Sequence, residues 1–203
     1  MVLNSKTVNR SKPIVIILLI VPSLYWFIMF INGNLGINPI EKLMDNLGEM
    51  GLRLLIVTLI LSMLSQIKTF RALQNIRRII GLLAFYYVCF HFLAYIVLDH
   101  FFNWHFIIKD IYKRPFITLG FLAFLFLIPL AITSNNISMK KFSYTIWKRI
   151  HKLIYLVAPL AGLHYFLLTK ADKREPLIYL IIIFFLLILR FFYYFLKKLS
   201  SPK

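Results

Sequence analysis

The sequence predicts an all-α integral membrane protein built as a bundle of six transmembrane helices. Three observations carry this. Of 203 residues, 61% are hydrophobic, 17% aromatic and only 15% charged, whereas a soluble domain carries about 25% charged residues. The apolar residues come in long blocks, not at the period of an amphipathic helix or a half-buried strand. Lys and Arg gather at the block edges, where membrane proteins keep them. The formal charge of +17 therefore reads as topogenic. Membrane lipid is an expected partner and nucleic acid is not.

The first block, 14–31, follows Lys6, Arg10 and Lys12 in the manner of a signal peptide. Its length and the lack of an Ala-x-Ala site after it predict a retained helix. The second, about 49–66, is the least apolar and contains Arg53. The others are expected at 80–98, 116–133, 151–169 and 177–196. At about 1.5 Å per residue, each crosses a hydrocarbon core of about 30 Å. The connections leave no room for an extramembrane domain, so residues 1–203 are expected to form a single transmembrane domain. The one cysteine, Cys89, excludes an intrachain disulfide or a CxxC framework.

Charge sets the orientation. With a cytoplasmic N-terminus, the inner regions hold Lys6, Arg10, Lys12, Lys68, Arg71, Arg77, Arg78, Lys140, Lys141, Lys148, Arg149, Lys152, Arg190, Lys197, Lys198 and Lys203, most of the 24 basic residues. The basic bias places both termini in the cytoplasm. All seven acids (Glu41, Asp45, Glu49, Asp99, Asp110, Asp172 and Glu175) then fall outside.

Histidine depth is the functional clue. His100 and His105 follow the third span and are expected to face water or headgroups. The block 150–166, "IHKLIYLVAPLAGLHYF", carries His151 and His164, 13 residues apart. Spans three and five run in the same direction, so His91 and His164 share the outer half of the membrane. His151 lies about 20 Å lower, at the inner surface. Three readings of the His91–His164 pair compete: two unrelated hydrogen-bonded polar residues, a metal or proton-relay site, and a bis-histidine haem. The second lacks a further Cys, Asp or Glu at that depth. The third needs nothing else on the iron. Small residues nearby (Ala84, Ala94, Ala158, Ala161 and Gly162) would leave room for a flat macrocycle, and would equally permit close helix packing. Tyr87 and Tyr95, at i−4 and i+4 from His91, are expected to line the pocket. Pro159 is expected to kink span five between its histidines. Arg53 would face haem propionates or snorkel to headgroups. Arg190 would snorkel inward or take a haem or quinone role.

The stretches "RRIIGLLAFYYVCFHFLAYIVL" (77–98), "RPFITLGFLAFLFLIPLAITS" (114–134) and "WKRIHKLIYLVAPLAGLHYF" (147–166), with "LGINPIEKL" (35–43), resemble the MsrQ (formerly YedZ) family of ferric-reductase-like membrane proteins. The resemblance runs along nearly the whole chain. It implies a b-type cytochrome subunit of the bacterial inner membrane that binds haem b. Such a subunit passes electrons to a periplasmic molybdenum-cofactor methionine sulfoxide reductase, MsrP, which repairs oxidised proteins. The chain is then the electron-transfer subunit, not the catalytic one. FMN binding is also implied, with electrons from a cytosolic flavin reductase or from quinol, although no FMN site can be placed on the sequence.

Carried over by position, His91, His151 and His164 match the family's haem-associated histidines. Relatives in the wider group hold two stacked haems on two histidines from each of two helices. Here the expected partner of His151 falls at Arg77 or Arg78, neither of which ligates iron. The resemblance thus implies one haem on His91 and His164, with His151 as an inner relay: a second haem, or a flavin or quinone contact. Arg77 and Arg78 would hold the propionates of an inner haem or a flavin phosphate, or would be topogenic charge. No GxGxxG fingerprint is present, so electrons are expected from another protein or a lipid-soluble carrier. The competing expectation from another class is a small transporter or channel.

Overall fold

The computed structural model describes residues 5–199. Lys203, counted among the inner charges, lies outside the described residues, as does the side chain of Lys140. All regular structure among the described residues is helical. Six helical stretches are long and apolar enough to cross a membrane, so the predicted all-α, six-span architecture is borne out.

The first span is α1, Ser5–Ile31. The turn after it uses Gly33 (φ 69°) and Gly36 (φ 99°), left-handed conformations that cost a residue without Cβ little. The second span, α2, runs Pro39–Leu64 and opens on a proline, whose missing N–H is no loss in a first turn. It begins well before the expected 49, so Met44, Asp45 and Gly48 join the helix. A short 3-10 segment, Lys68–Leu73, leads into α3, Gln74–Ala94. The ladder then widens into a π turn at Tyr95–Asp99. Single π turns recur at functional sites.

The connection after span three contains a helix the apolar blocks did not announce: α4, Trp104–Lys113, capped by the Asn103 side chain. The fourth span, α5, runs Pro115–Ile132 and again opens on proline. A short helix, α6 (Asn136–Lys141), is capped by Asn135. The fifth span is divided into α7 (Tyr144–His151), capped by Ser143, and α8 (Ile154–Leu168). The interruption falls at Lys152–Leu153, on the inner side of Pro159, which sits within α8. Lys152, Leu153, Tyr155 and Leu156 donate hydrogen bonds of the i→i−3 type, so a tightened turn separates His151 from the rest of the span. The sixth span is α9, Arg174–Leu199.

Packing divides the centre of the bundle into two antiparallel pairs, α2 with α3 and α5 with α8. The first pair supplies the fully buried Leu43, Leu47, Ala84 and Tyr87, the second Val157 and Ala158. Helix α1 covers α3, where Tyr87 donates to the Leu19 carbonyl and Ser23 pairs with Tyr86 at 3.0 Å. Helix α9 covers α8 and α2 through Leu52, Ile56, Leu59 and Ile183. The outward faces of α1 and α9 carry exposed Ile, Leu and Phe, as lipid-facing helices do.

Candidate functional site

Between the two pairs lies a partly open cavity of about 140 Å³. Its walls are mostly apolar: Leu52 and Leu55 of α2, Val88 and Phe92 of α3, Phe121, Phe124 and Leu127 of α5, Val157 and Leu168 of α8. His91 and His164 face each other inside it. Their ring centroids are 6.2 Å apart and their planes are inclined by 77°. Two bonds of about 2 Å to one metal ion, with a ring radius at each end, give a centroid spacing of about 6 Å. The pair is thus already at the spacing for two imidazoles on opposite sides of one metal.

The other ring nitrogens are accounted for. His91 Nδ1 donates to the Met44 carbonyl of α2 at 2.8 Å. His164 Nδ1 donates to the Phe116 carbonyl of α5 at 2.6 Å. Both bonds fix the tautomer whose Nε2 carries the lone pair, and a carbonyl behind a ligating imidazole raises its basicity. Each histidine is therefore held by the partner helix within its own pair.

The residues that make room differ from those expected. Of the small residues near the histidines in sequence, Ala161 lines the cavity. Ala84 is packed in the core, and Gly162 lies against Leu180 and Ile183 of α9. The space comes from Gly48 on α2 and Gly120 on α5, which line the cavity on the facing helices. Close neighbours in a helix point to different faces, so sequence proximity to a histidine does not mean contact with what it holds. The tyrosines also part company. Tyr95 lines the cavity, and its hydroxyl is buried without a hydrogen-bond partner among the described residues. Tyr87 turns to α1 instead and fills the core.

The outer rim is polar. Asp45 and Glu49 reach the cavity wall. Tyr165 donates to Glu49 at 3.1 Å. Arg53 is bound to Glu49 at 2.8 Å, to Glu175 at 3.3 Å and to Tyr179 at 2.7 Å, so carboxylates already face its guanidinium. His100 does not simply face water. It is largely buried, with Asp99 at 3.1 Å on Nδ1 and Asp110 at 3.3 Å on Nε2, and its ring lies 4.4 Å from that of Tyr95. His105 is exposed on α4.

On the inner side, His151 stands apart from the pair. Thr133 donates its hydroxyl to the Pro129 carbonyl at 2.6 Å and accepts from His151 Nε2 at 3.1 Å. Trp147, one turn earlier, stacks on the His151 ring at 4.1 Å. Arg77 and Arg78 lie within electrostatic reach but take different directions, because neighbours on a helix are about 100° apart. Arg78 Nε donates to the Ser134 carbonyl beyond α5. Arg77 donates to Ser62 of α2 at 3.2 Å, and the same hydroxyl receives Arg190 of α9 at 2.5 Å. Arg190 does not snorkel away. It points into the bundle, stacked over Tyr155 at 4.7 Å, with its Nε buried and without a hydrogen-bond partner among the described residues. Also among those residues, no group of three or more His, Cys, Asp and Glu side chains could hold a metal ion.

Fold and site together define a six-span membrane protein whose two central helix pairs each present one imidazole to a shared cavity. The chain belongs to the ferric-reductase-like transmembrane family: residues 47–162 match its sequence model, described as "Ferric reductase like transmembrane component". Within that family its similarity is to the MsrQ proteins. The protein-methionine-sulfoxide reductase heme-binding subunit MsrQ of Caulobacter vibrioides is 52% identical over 147 residues, 72% of this chain and 70% of that protein. The same subunit of Rhodospirillum rubrum is 42% identical over 160 residues, 79% of this chain and 77% of its own. The magnetosome protein MamZ of Magnetospirillum gryphiswaldense is 41% identical over 150 residues, 74% of this chain but 23% of that longer protein. No solved structure matches.

Proposed function

We propose that the chain is a b-type membrane cytochrome that carries electrons outward, with His91 and His164 as axial ligands of one haem. The observation that carries this reading is the facing of the two rings at 6.2 Å with both Nδ1 atoms committed to carbonyls. The residues present fit the group. Two Nε2 lone pairs aim into one apolar cavity, and two glycines clear its walls. A haem held there supplies one-electron chemistry at its iron. The chain's own residues orient the ligands and exclude water, through Leu52, Leu55, Phe124, Leu127 and Val157.

The rest of the proposal follows from the family and from charge. The names of the MsrQ relatives support work in a protein-methionine-sulfoxide reductase system. The acceptor is then a periplasmic molybdenum-cofactor reductase that repairs oxidised proteins. The basic bias supports cytoplasmic termini in a bacterial inner membrane. His151, with Arg77 and Arg78 within electrostatic reach, is the inner relay, where electrons enter from a cytosolic flavin reductase or from quinol. A second haem or an FMN held there would present its anionic groups to Arg77, which shares the Ser62 hydroxyl with Arg190. Arg78, turned toward the Ser134 carbonyl, clamps α3 to the end of α5.

The test is an absorption spectrum of the protein purified after haem-sufficient expression, oxidised and then dithionite-reduced, with pyridine haemochrome quantitation per chain. A Soret band that sharpens and shifts on reduction is expected. A colourless protein would replace this reading with a small transporter or channel.

A further inference from the structure

The two histidines are held by the same device, used twice. On α2, the Met44 carbonyl accepts from His91, and four residues on stands Gly48. On α5, the Phe116 carbonyl accepts from His164, and four residues on stands Gly120. In an α-helix the carbonyl of residue i is already bound by the N–H of residue i+4. Side chains lean back toward the N-terminus, so the side chain at i+4 covers the turn that contains that carbonyl. A second donor reaches the carbonyl from the side only if that cover is missing.

Both glycines leave that gap, and both imidazoles fill it. A Cβ added at Gly48 would lie 3.0 Å from His91 Nδ1 and 3.1 Å from Cε1. One added at Gly120 would lie 2.8 Å from His164 Nδ1 and 2.9 Å from Cε1. The nearest atom in each case is the nitrogen that makes the carbonyl bond. An alanine would thus push the ring off its acceptor as well as shift it.

We propose that Gly48 and Gly120 are positioning residues which, by exposing the Met44 and Phe116 carbonyls, set the orientation and electron-donating strength of His91 and His164 toward the haem they share. The proposal rests on the haem reading above. The chemistry has a sign. An Nδ1–H bound to a carbonyl gives the imidazole more anionic character. A more basic ligand favours ferric over ferrous iron, which lowers the midpoint potential. A lower potential suits a carrier that gives its electron away.

The test compares four alanine variants of the full chain by redox titration, ferric-state EPR and thermal melting. Gly48→Ala and Gly120→Ala are expected to raise the midpoint potential, change the low-spin EPR signal and weaken haem binding about 10–100-fold. Gly120→Ala has the larger effect, because its approach and its hydrogen bond are both shorter. Gly162→Ala is the packing control. Its Cβ would meet Leu180 at 2.9 Å and Ile183 at 3.0 Å, so it lowers the melting temperature and leaves the potential where it was. Gly81→Ala, whose Cβ would meet Thr58 at 3.7 Å, changes neither. If a variant purifies without haem, haemin titration of the apo-protein reads the affinity: a loss in the stated range supports the assignment, and parent-like affinity overturns it. Parent-like potential and EPR in both Gly48→Ala and Gly120→Ala overturn it. So does a shift in Gly162→Ala as large as that in Gly120→Ala, which would trace the effect to packing. A parent protein without a Soret band removes the haem reading itself, before any glycine is changed.

Discussion

The half of the bundle around His91 and His164, outer in the proposed topology, and the inner half around His151 both bury polar side chains, but in opposite ways. In the outer half, each imidazole has one nitrogen spent on a carbonyl and the other aimed into an apolar cavity. The arrangement is symmetric, and the 6.2 Å ring spacing is the one the proposed haem needs. In the inner half, His151 has its Nε2 on Thr133 and its face on Trp147, and its charged neighbours are arginines. In the proposed reading, the outer half holds its cofactor with the protein's own two nitrogens. The inner half offers one imidazole and two guanidinium groups that share a serine, a set suited to an anionic group. Proteins can hold redox groups in either way, and in the proposed reading the difference separates a fixed cofactor site from an entry point.

The largest effect that could break this contrast comes from the pair itself. His91→Ala and His164→Ala should each abolish the reduced-minus-oxidised haem signal of the outer site, measured by pyridine haemochrome. Either variant keeping its full haem complement would end the symmetric picture. Next comes His151→Ala. It should leave the outer pair's EPR signal in place while slowing reduction by a cytosolic flavin reductase or a quinol analogue in stopped flow. Unchanged reduction kinetics would remove His151 from the electron route.

A smaller effect is expected at Ser62. Its replacement by alanine leaves Arg77 and Arg190 without their shared acceptor, and one unmet buried group costs about 1–3 kcal/mol. Thermal unfolding in detergent should show that loss, and added anionic phospholipid should restore part of it. The smallest effect belongs to Arg53→Gln. The pair with Glu49 and Glu175 involves side chains 25–54% exposed, so stability should fall by about 1 kcal/mol or less, with the outer potential unchanged.

Much of this architecture could be read directly. Span number and the co-depth of His91 and His164 follow from apolar block length and helical rise, which depend on the chain alone. Helix ends were less legible, because Lys6, Arg10 and Lys12 extend α1 without being apolar, and 39–48 extends α2 through Glu41 and Asp45. Helix α4 was hidden because interfacial helices alternate polar and apolar residues over too short a stretch to register as a block. The site's second layer was hidden for a different reason. Gly48 and Gly120 touch residues 43 and 44 positions away in sequence, and nothing local distinguishes them from Gly51 or Gly81. Arg190 read as a charge drawn to the nearest water. Only the packing of α9 on α2 brings Ser62 into its path.

The division of the core into α2–α3 and α5–α8 also bears on how the protein survives in a cell. Each half is well packed internally, and the cavity between His91 and His164 lies along the seam between them. A group tied to His91 on one side and His164 on the other fastens that seam. A ligand bound only by the native state adds about 2.7 kcal/mol at a hundredfold excess over its dissociation constant. Chains assembled while haem is scarce would lack that brace and present a gap between halves to the membrane's proteases. If the proposed haem is that group, steady-state abundance would follow haem supply, and the cell would hold only as much of this protein as it can load.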